Sequence, residues 1–527
     1  MDIKDFYKEY QNIDGWRMGT ITDAMEEWCN LFSERICVIY GDTKLSYKEM
    51  EVKIELAAVG FYNEGIRCGD RVILQLPNGI NFLMTFFGLI KIGAIPIMGL
   101  PAHRIGEIKG MIRTAAPAAY ICEERFMGYD YSEITSTLYE ENLVQHILVI
   151  PEETEVLDML DLSGTYEKEA VENLDTAFLS LSGGTTGMSK LIPRTHGDYL
   201  YDTEVSVRRC ELSNEDTVLI LLPLPHNFII GHPGFLGTFS RGATLLLSEY
   251  PDMNEGLELI ESEKATFLSV VPSMAKLMLE ILEEEEYDIS SLRVVQIGGA
   301  FLEEQVADAM IDLSNFTLQQ VFGTAEGLNT MTALDDTREI IRYYQGKPTS
   351  PYDVIRIADE KDHDVPAGEY GELQIKGPYT IHAYYNYQDN DKYFTADGYY
   401  KTGDRAFVTQ EGNLKLSGRI TEMINKSGEK IIPSEIETSL ADYDAIKDCA
   451  VVGLPDEILG EKIAVFVVAD REVSVGEIRD YLLTKEMASF KLPDAVFGLQ
   501  ALPLTKIGKV DKKKLIEIGK ELQNERF

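Results

Sequence analysis

Short apolar runs alternate with longer helical patterns over much of the first 330 residues, and this alternation constrains the fold more than any other feature. The runs are rich in Val, Ile and Leu. They include RVILQLP (71–77), AIPIMGL (94–100), HILVIP (146–151), TVLILLPLP (217–225), ATLLLS (243–248), TFLSVVP (266–272) and LRVVQIGG (292–299). Apolar strands separated by helices are typical of a mostly parallel sheet covered by helices. In such sheets, ligands bind in loops at the carboxyl ends of the strands.

The pattern changes further along the chain. Between about residues 340 and 418, short Gly- and Tyr-rich strands such as GELQIKG (371–377) and GNLKLSG (412–418) predict a small β-rich unit. Beyond Gly418, helical patterning is followed by the apolar strands AVVGLP and IAVFVVA. This order predicts a compact α+β module at the C-terminal end.

Length and charge narrow the class of protein. A chain of 527 residues is long enough for at least two domains, and 45% apolar with 26% charged residues is typical of a globular protein. A net charge of −39 would repel nucleic acid and anionic membranes, so we expect neither as a partner. Six cysteines without a CxxC pair indicate neither a zinc site nor a disulfide framework. The first residues lack the apolar run of a secretory signal, so we expect a cytoplasmic protein.

The segment AFLSLSGGTTGMSKLIPRTH (177–196) joins an apolar strand to a loop of glycines and hydroxyl side chains. Glycines let the backbone approach an anion, hydroxyl groups add donors, and Lys190 supplies positive charge. The loop does not match G-x-x-x-x-G-K-[ST], because three positions separate Gly183 from Gly187 and Lys190 comes two residues too late. We interpret it as a phosphate-binding loop outside the ordinary P-loop class. Its candidate residues are Ser182, Gly183, Gly184, Thr185, Thr186, Gly187 and Lys190.

Further motifs follow this loop in a fixed order. They are QQVFGTAEG (319–327), YYKTGD (399–404), GRITEMINKSGEKIIPSEIE (418–437) and LPLTKIGKVDKKKL (502–515). The series resembles the adenylate-forming superfamily, which includes acyl-CoA synthetases, nonribosomal-peptide adenylation domains and firefly luciferase. The resemblance covers nearly the whole chain. LPAHR (100–104), PLPHN (223–227) and VFGTAEGL (321–328) are most similar to the stand-alone ligases that activate 2,3-dihydroxybenzoate or salicylate for siderophore assembly.

The resemblance implies the fold class and the domain organisation. The expected class is α/β, with a large N-terminal domain of two doubly wound α/β subdomains plus a small β-barrel, followed by a small mobile α+β domain. We expect the adenylation core over 1–418, with the α/β subdomains to about 330 and the β-rich unit at about 340–418. A hinge at 419–422 and the mobile domain at 423–527 complete the chain.

The resemblance also implies a two-step reaction. An aryl carboxylate attacks the α-phosphorus of ATP and expels pyrophosphate, and the acyl-adenylate then passes to the phosphopantetheine thiol of an aryl carrier protein. An aryl-CoA ligase, with CoA as the acceptor, is the alternative. An ATPase or kinase built on the loop, or a non-catalytic nucleotide-binding protein, are further alternatives. Because the two reactants of the first step are both anions, positive charge must bridge them.

The resemblance also implies roles for individual residues. Lys509 matches the main catalytic lysine of adenylation, and Glu326 matches the carboxylate that binds Mg²⁺, a cation that prefers oxygen ligands. Asp404 matches the acid that accepts hydrogen bonds from the ribose hydroxyls of ATP. Glu422 stands where the family hinge has an Asp, which keeps the charge on a longer side chain. The other implied nucleotide-binding residues are Gly298, Gly299, Ala300, Val321, Phe322, Gly323, Thr324, Ala325, Arg419 and Lys430.

The segment PHNFIIGHPG (225–234) matches the aryl-acid pocket of these ligases. The candidate pocket residues are His226, Asn227, Phe228, His232 and Asn329. His232 stands where the related ligases have a small residue, and Asn329 stands where they have an apolar one. Both would bring polarity to the far edge of the ring of the bound acid. Alternatively, the histidine points away from the pocket and packs elsewhere. If these side chains face the pocket and have no hydrogen-bond partner, burying each polar group would cost about 1–3 kcal/mol. We therefore expect a hydroxybenzoate other than 2,3-dihydroxybenzoate, or a heteroaromatic carboxylate, to supply polar partners.

Overall fold

The structure is a computed structural model that describes residues 7–182, 190–313, 315–419, 422–426, 429–456, 459–485, 487, 491–505 and 508–524. The chain divides into two compact units. The first comprises Met1–Leu302, Val306–Val354 and Ile375–Tyr400, and the second comprises Glu303–Gln305, Ile355–Gln374 and Lys401–Phe527. The expected core over 1–418, hinge at 419–422 and mobile domain at 423–527 remain predictions.

The strands are numbered in chain order. They are β1 (Ile36–Tyr40), β2 (Thr43–Ser46), β3 (Arg71–Gln75), β4 (Ile95–Met98), β5 (Ala119–Glu123), β6 (Arg125–Phe126), β7 (Tyr129–Asp130), β8 (His146–Ile150), β9 (Thr176–Leu181), β10 (Leu191–Thr195), β11 (Thr217–Ile220), β12 (Thr244–Leu247), β13 (Phe267–Val270), β14 (Val294–Gly298), β15 (Thr317–Thr324), β16 (Gly327–Met331), β17 (Lys347–Pro348), β18 (Val354–Ala358), β19 (Gly371–Lys376), β20 (Tyr400–Val408), β21 (Leu414–Arg419), β22 (Ile424–Lys426), β23 (Glu429–Ile431), β24 (Asp448–Asp456), β25 (Gly460–Val468) and β26 (Ala495–Leu499).

The helices follow the same convention. They are α1 (Ile21–Leu31), α2 (Tyr47–Asn63), α3 (Ile80–Lys91), α4 (Ile105–Ala115), α5 (Ser132–Glu140), α6 (His196–Arg209), α7 (Asn227–Gly231), α8 (Gly234–Ser240), α9 (Met253–Glu263), α10 (Pro272–Glu284), α11 (Glu304–Asp312), α12 (Arg338–Tyr343), α13 (Pro433–Leu440), α14 (Val475–Thr484) and α15 (Lys512–Asn524). Short 3-10 turns lie at Val156–Met159 and Asn390–Lys392. Among the helices described, none is long and apolar enough to cross a membrane.

Two largely parallel sheets form the frame of the first unit. One has the order β17-β16-β15-β14-β13-β11-β12-β1-β2, and the other has the order β10-β9-β4-β3-β5-β8. Sequence neighbours are often not sheet neighbours, because the chain crosses over through helices. The antiparallel pairs β1–β2, β9–β10, β15–β16 and β16–β17 lie at the sheet edges. The predicted doubly wound, mostly parallel α/β frame is therefore confirmed.

The core of the first unit includes a helix that is apolar on every side. Helix α3 has the sequence INFLMTFFGLIK, and nearly all of its residues are buried. Such a helix is stable only when protein surrounds it. The Phe86 ring lies 5.2 Å from that of Phe87, 5.8 Å from that of Phe178 and 5.3 Å from that of Phe235, measured between centroids. This aromatic cluster packs the helices against strand β9.

Helix α6 starts directly after β10, and its first turn explains why. The Thr195 side chain accepts from the Asp198 backbone N–H, and the Asp198 carboxylate accepts from the Thr195 N–H, forming a reciprocal capping box. Such a cap satisfies two backbone donors that a helix start leaves unpaired. Because the strand feeds straight into the capped helix, residues of β10 and of the first turns of α6 share one buried region.

The second unit contains two sheets. Strands β18-β19-β20-β21 form one, and β23-β22-β25-β24 form the other, with β26 added in parallel to β25. The expected β-rich unit is therefore a four-stranded sheet, and its described path runs between the edge strands β18 and β21 rather than around a barrel. The α+β module packs Val452, Phe466 and Leu515 into one core. In the antiparallel pair β20–β21, Asp404 lies opposite Arg419.

Candidate active site

The loop expected to bind phosphate leaves β9 and returns in β10. Its two ends are paired: the Ser182 N–H donates to the Lys190 carbonyl at 2.9 Å, and the Lys190 N–H donates to Ser182 Oγ at 2.9 Å. Lys190 therefore stands at a defined position immediately before β10. The candidates between these ends, Gly183, Gly184, Thr185, Thr186 and Gly187, lie outside the described residues.

Two strands carry the residues expected along the nucleotide. Gly298 ends β14 and lies opposite Val321 of β15 in the parallel register. A Cβ at Gly298 would lie 2.8 Å from the Val321 carbonyl oxygen, so only glycine fits there. Gly299 has φ +82°, which also favours glycine. Ala300 and Gly323 are exposed, and Phe322, Thr324 and Ala325 are half-buried beside them.

Glu326 lies in the tight turn between β15 and β16. Gly327 next to it has φ +139°, and a Cβ there would come 2.5 Å from Cα of Thr380. Glu326 is 8% exposed, and its Oε1 accepts a hydrogen bond from the Tyr384 hydroxyl at 2.7 Å. Burial, together with the charge of Glu326, raises the pKa of Tyr384 far above its ordinary value. The turn thus presents a buried carboxylate held by a neutral phenol.

Lys190 and Glu326 both contact the side chain of Tyr384. The Lys190 ammonium lies 4.5 Å from the centroid of the Tyr384 ring and 3.7 Å from that of Tyr393. None of these tyrosines belongs to a motif singled out from the sequence. Their signal was present as the Tyr-rich stretch HAYYNYQDNDKYF at 382–394.

The expected acid-pocket segment forms the short helix α7. His226 caps it, with Nδ1 accepting from the Phe228 N–H at 3.3 Å. Asn227 accepts a hydrogen bond from the Tyr199 hydroxyl on its Oδ1 at 3.0 Å. Phe228 is 8% exposed, and its Cζ lies 3.4 Å from where a Cβ of Gly298 would be. The structure therefore brings the expected acid-pocket segment close to Gly298, one of the residues expected along the nucleotide.

Behind this segment lies a buried network centred on Asp202 of α6. Asp202 Oδ2 lies 2.8 Å from His232 Nε2, and Asp202 Oδ1 accepts from Asn329 Nδ2 at 2.6 Å. Arg194 Nη2 lies 3.8 Å from Asp202, while Arg194 Nε contacts Asp198 at 3.3 Å. Burial raises the pKa of Asp198 to about 6, although the Arg194 guanidinium acts in the opposite direction.

The prediction about the acid is conditional on His232 and Asn329 lacking protein partners, and the structure gives both a partner. Both bind the Asp202 carboxylate, and the three side chains are each 3% exposed or less. Asp202 follows Asp198 by four residues, so helix periodicity places both acids on one face of α6. That spacing was the available signal, and neither acid was singled out from the sequence.

In the second unit, the structure brings four other candidates together. Asp404 is 6% exposed, and its Oδ1 lies 3.1 Å from Arg419 Nε. Burial lowers the pKa of Lys509, and Arg419 lowers it further, while Asp404 and Glu422 oppose that change. Glu422 Oε2 also lies 3.3 Å from Lys512 Nζ. Asp404, Arg419 and Glu422 are therefore charged neighbours of Lys509, whose pKa is lower than that of an ordinary lysine.

Lys430, the remaining candidate of this unit, lies in β23, where its backbone pairs with Asn425 of β22. Metal-ligating groups are sparse: in the part of the chain that the structure describes, no group of three or more His, Cys, Asp or Glu side chains could hold a metal ion. A lone carboxylate such as Glu326 still suits Mg²⁺, which is usually held by one or two carboxylates together with substrate phosphates and water.

A parallel α/β frame with a phosphate-type loop, a buried carboxylate turn and a separate charged lysine unit defines a nucleotide-dependent enzyme. The family model described as "AMP-binding enzyme" matches residues 25–385, and the model described as "AMP-binding enzyme C-terminal domain" matches residues 435–509. The chain therefore belongs to the AMP-binding enzyme family, and the sequence-based assignment to the adenylate-forming superfamily is confirmed.

Individual relatives match over almost the full length. The chain is 39% identical to the 2,3-dihydroxybenzoate-AMP ligase of Bacillus subtilis over 96% of this chain and 95% of that protein. It is 36% identical to the salicyl-AMP ligase / salicyl-S-ArCP synthetase of Mycobacterium tuberculosis over 96% and 92% of the two chains. The apo structure of MbtA from Mycobacterium smegmatis matches with a TM-score of 0.75 and 34% identity, covering 98% of this chain and 97% of that one.

Proposed function

We propose that this enzyme activates an aryl carboxylic acid with ATP and transfers the acyl group to a phosphopantetheine thiol. In the first half-reaction, a carboxylate oxygen bonds to the α-phosphorus of ATP, the bond from that phosphorus to the bridging oxygen breaks, and pyrophosphate leaves. In the second, the thiol sulfur attacks the acyl carbon, AMP leaves and the thiol proton is released. The similarity to ligases of dihydroxybenzoate and salicylate supports this choice of acid.

The observation that carries the proposal is that Lys190 and Glu326 contact the same residue, Tyr384. A fixed cation and a buried carboxylate at one place suit a magnesium-bound polyphosphate, since the lysine attracts phosphate oxygens and the carboxylate attracts the metal. Mg²⁺ held by Glu326 would neutralise charge on the leaving pyrophosphate. Gly299, where a Cβ would lie 3.5 Å from Val271, is the proposed point at which a nucleotide approaches the backbone.

Lys509 is proposed as the catalytic lysine of adenylation. It shares its unit with Asp404 and Arg419, the residues proposed for the ribose side of the nucleotide. An ammonium removed from bulk water interacts more strongly with developing charge than a solvated one. Lys430 of the second unit, and separately Ser182 and Lys190 of the first unit, are the remaining described residues proposed to bind nucleotide.

The Asp202 network bears on which ring substituents the preferred aryl acid carries. A carboxylate only accepts hydrogen bonds, so both His232 and Asn329 must donate to it. Besides the N–H that binds Asp202, Asn329 keeps a carbonyl oxygen that accepts and a second amide N–H that donates, and His232, donating through Nε2, keeps Nδ1. We infer that the acid carries a hydrogen-bond donor, a hydroxyl or amino group, on the ring edge that meets them.

The test is acid-dependent exchange of labelled pyrophosphate into ATP, with Mg²⁺. The acid panel contains benzoate, its 2-, 3- and 4-hydroxy derivatives, 2,3-dihydroxybenzoate, anthranilate, nicotinate and an alkanoate. Exchange that depends on a hydroxylated or aminated aryl acid supports the proposal, and ADP as the main product would refute it. Glu326→Gln should lower exchange strongly, whereas the matched change Glu283→Gln on a glutamate of helix α10 should not.

The acceptor is tested separately, because the aryl-CoA ligase remains the alternative. Both acceptors end in the same phosphopantetheine arm, so the proposal of a carrier protein requires a direct comparison. Thiolation rates are measured with free CoA and with a phosphopantetheinylated aryl carrier protein at equal concentrations. A higher kcat/KM for the carrier protein supports it as the acceptor, and a higher value for CoA would assign the enzyme as an aryl-CoA ligase.

A further inference from the structure

Three tyrosines surround the ammonium of Lys190. The distances from Lys190 Nζ to the ring centroids are 4.5 Å for Tyr384, 5.9 Å for Tyr387 and 3.7 Å for Tyr393. All three lie within the roughly 6 Å at which a cation is attracted to an aromatic face. We refer to Tyr384, Tyr387 and Tyr393 as the tyrosine cage.

The cage is a packed assembly. Its rings contact one another edge to face, with centroid separations of 5.9 Å for Tyr384–Tyr387, 5.3 Å for Tyr384–Tyr393 and 6.0 Å for Tyr387–Tyr393. Asn390 holds the connecting turn, because its Oδ1 accepts from the Tyr384 N–H and its Nδ2 donates to the Tyr387 carbonyl, each at 2.8 Å. The positions of the rings are therefore set by the turn.

The cage is also tied to both ends of the proposed phosphate site. The Tyr385 N–H donates to the Leu191 carbonyl at 2.9 Å, next to Lys190 in the chain. The Ile381 N–H donates to the Glu326 carbonyl at 2.8 Å. The Tyr384 hydroxyl donates to the Glu326 carboxylate at 2.7 Å. One short segment thus fixes the lysine ammonium relative to the carboxylate.

Aromatic rings differ from carboxylates as partners for a lysine. A ring attracts the ammonium through its quadrupole without carrying a formal charge, so the positive charge stays available to a phosphate. Ordering the flexible lysine before the substrate arrives removes rotamer entropy that binding would otherwise cost. A cage of this kind therefore favours substrate binding by pre-organisation.

We propose that the tyrosine cage is a positioning device that orders the Lys190 ammonium for the β- and γ-phosphates of ATP and for the pyrophosphate released. Tyr393, whose ring lies nearest to the ammonium, is its main positioning residue. This inference rests on the proposed function, because it takes Lys190 to bind phosphate. It concerns binding of the polyphosphate and leaves the chemical step to other residues.

The test compares Tyr393→Leu with Tyr393→Phe in the exchange assay with the full-length enzyme. Tyr393→Leu removes the aromatic face and should raise KM for both ATP and pyrophosphate by about 3- to 30-fold, with kcat nearly unchanged. Tyr393→Phe keeps the aromatic face and should restore most of that loss. An unchanged or lower KM in Tyr393→Leu, or a Phe variant as impaired as the Leu variant, would overturn the proposal.

A double-mutant cycle separates positioning of Lys190 from a general structural effect. If the ring acts through Lys190, then Tyr393→Leu should have little further effect on KM once Lys190→Ala is present. The same penalty in both backgrounds would overturn the proposal. Tyr139, 82% exposed on α5, supplies the matched control Tyr139→Leu, which should leave both KM values unchanged.

The same experiment keeps the two proposals distinguishable. Absence of acid-dependent exchange in the unmodified enzyme would refute the proposed function. Exchange in the unmodified enzyme together with no coupling between positions 190 and 393 would refute the cage alone. Thermal unfolding midpoints of all variants, measured alongside, identify any variant whose loss comes from unfolding; for such a variant the Phe substitution and the cycle give the deciding result.

Discussion

His232 Nε2 lies 2.8 Å from Asp202 Oδ2, and this contact joins the acid-pocket segment to helix α6. The histidine comes from the turn after α7 and the aspartate from the second turn of α6, so the pair links segments 30 residues apart in the chain. The second oxygen of Asp202 binds Asn329 of β16. A single carboxylate therefore binds both side chains, one on each of its oxygens.

The first prediction concerns the choice of acid. Acids with a hydroxyl or amino donor at the ring edge should have the highest kcat/KM in the unmodified enzyme, because Asn329 and His232 offer acceptors. The double variant His232→Ser, Asn329→Val should lose that ranking. If the unmodified enzyme prefers 2,3-dihydroxybenzoate by more than tenfold and the double variant keeps the order, these residues do not set specificity.

The second prediction concerns the stability of the buried charge network. Arg194 is 1% exposed and forms an ion pair with Asp198, and Asp202 lies nearby. Its guanidinium also donates a hydrogen bond to the Ala325 carbonyl at 2.8 Å. Arg194→Met leaves the two carboxylates without their cation and should lower the free energy of unfolding by about 3–5 kcal/mol in a urea titration. The half-exposed Arg208 pairs with Glu204, and Arg208→Met should cost less than about 1 kcal/mol. Equal losses would contradict the prediction.

The third prediction separates the two half-reactions. Lys509→Ala should reduce pyrophosphate exchange by at least about 100-fold, the scale for removing one pre-organised electrostatic group. It should largely spare thiolation when the acyl-adenylate is supplied, because the resemblance implies that Lys509 leaves the site after adenylation. Both rates are measured on the same protein preparation. A similar loss in both would contradict the assignment.

The fourth prediction is a pH dependence of adenylation. Burial lowers the pKa of Lys509, and a lysine is positive only below its pKa. Exchange should therefore fall as pH rises through a value below the ordinary lysine pKa of about 10.4. Lys509→Arg stays charged and should move this alkaline limit upward in the activity that it retains. An identical alkaline limit in both proteins would assign it to another group.

The fifth prediction concerns the hinge. Glu422→Pro fixes φ at the proposed pivot and should slow thiolation more than pyrophosphate exchange. Glu422→Gln is the matched control, because it removes only the charge that faces Lys512 at 3.3 Å. A uniform defect, or none, in the proline variant would place the hinge elsewhere.

Local sequence patterns were sufficient for most of the fold. Alternating apolar strands and helices in the first 330 residues predict a mostly parallel sheet covered by helices, because a strand buried on both faces needs continuous apolar residues. The structure has two such sheets, and it was the family resemblance that implied two subdomains. The strand predicted at 292–299 is β14, and a Cβ on its final Gly298 would come 2.8 Å from the Val321 carbonyl oxygen. Through the family resemblance, the TGD and TKIGK segments made Asp404 and Lys509 candidates, and the structure places Arg419 near both.

The sequence alone was enough for the family, the reaction class and the candidate residues, because the motifs that carry the resemblance are residue types at fixed short spacings. Only the tertiary structure decided which of those side chains already have partners. Asp202 satisfies His232 and Asn329 across separations of 30 and 127 residues, and three tyrosines near position 390 enclose a lysine at 190. Such contacts depend on how sheets and helices pack, and local periodicity carries no information about them. The physical reason is that a hydrogen bond or a cation–π contact depends on distance in space, which the chain sets only after it has folded.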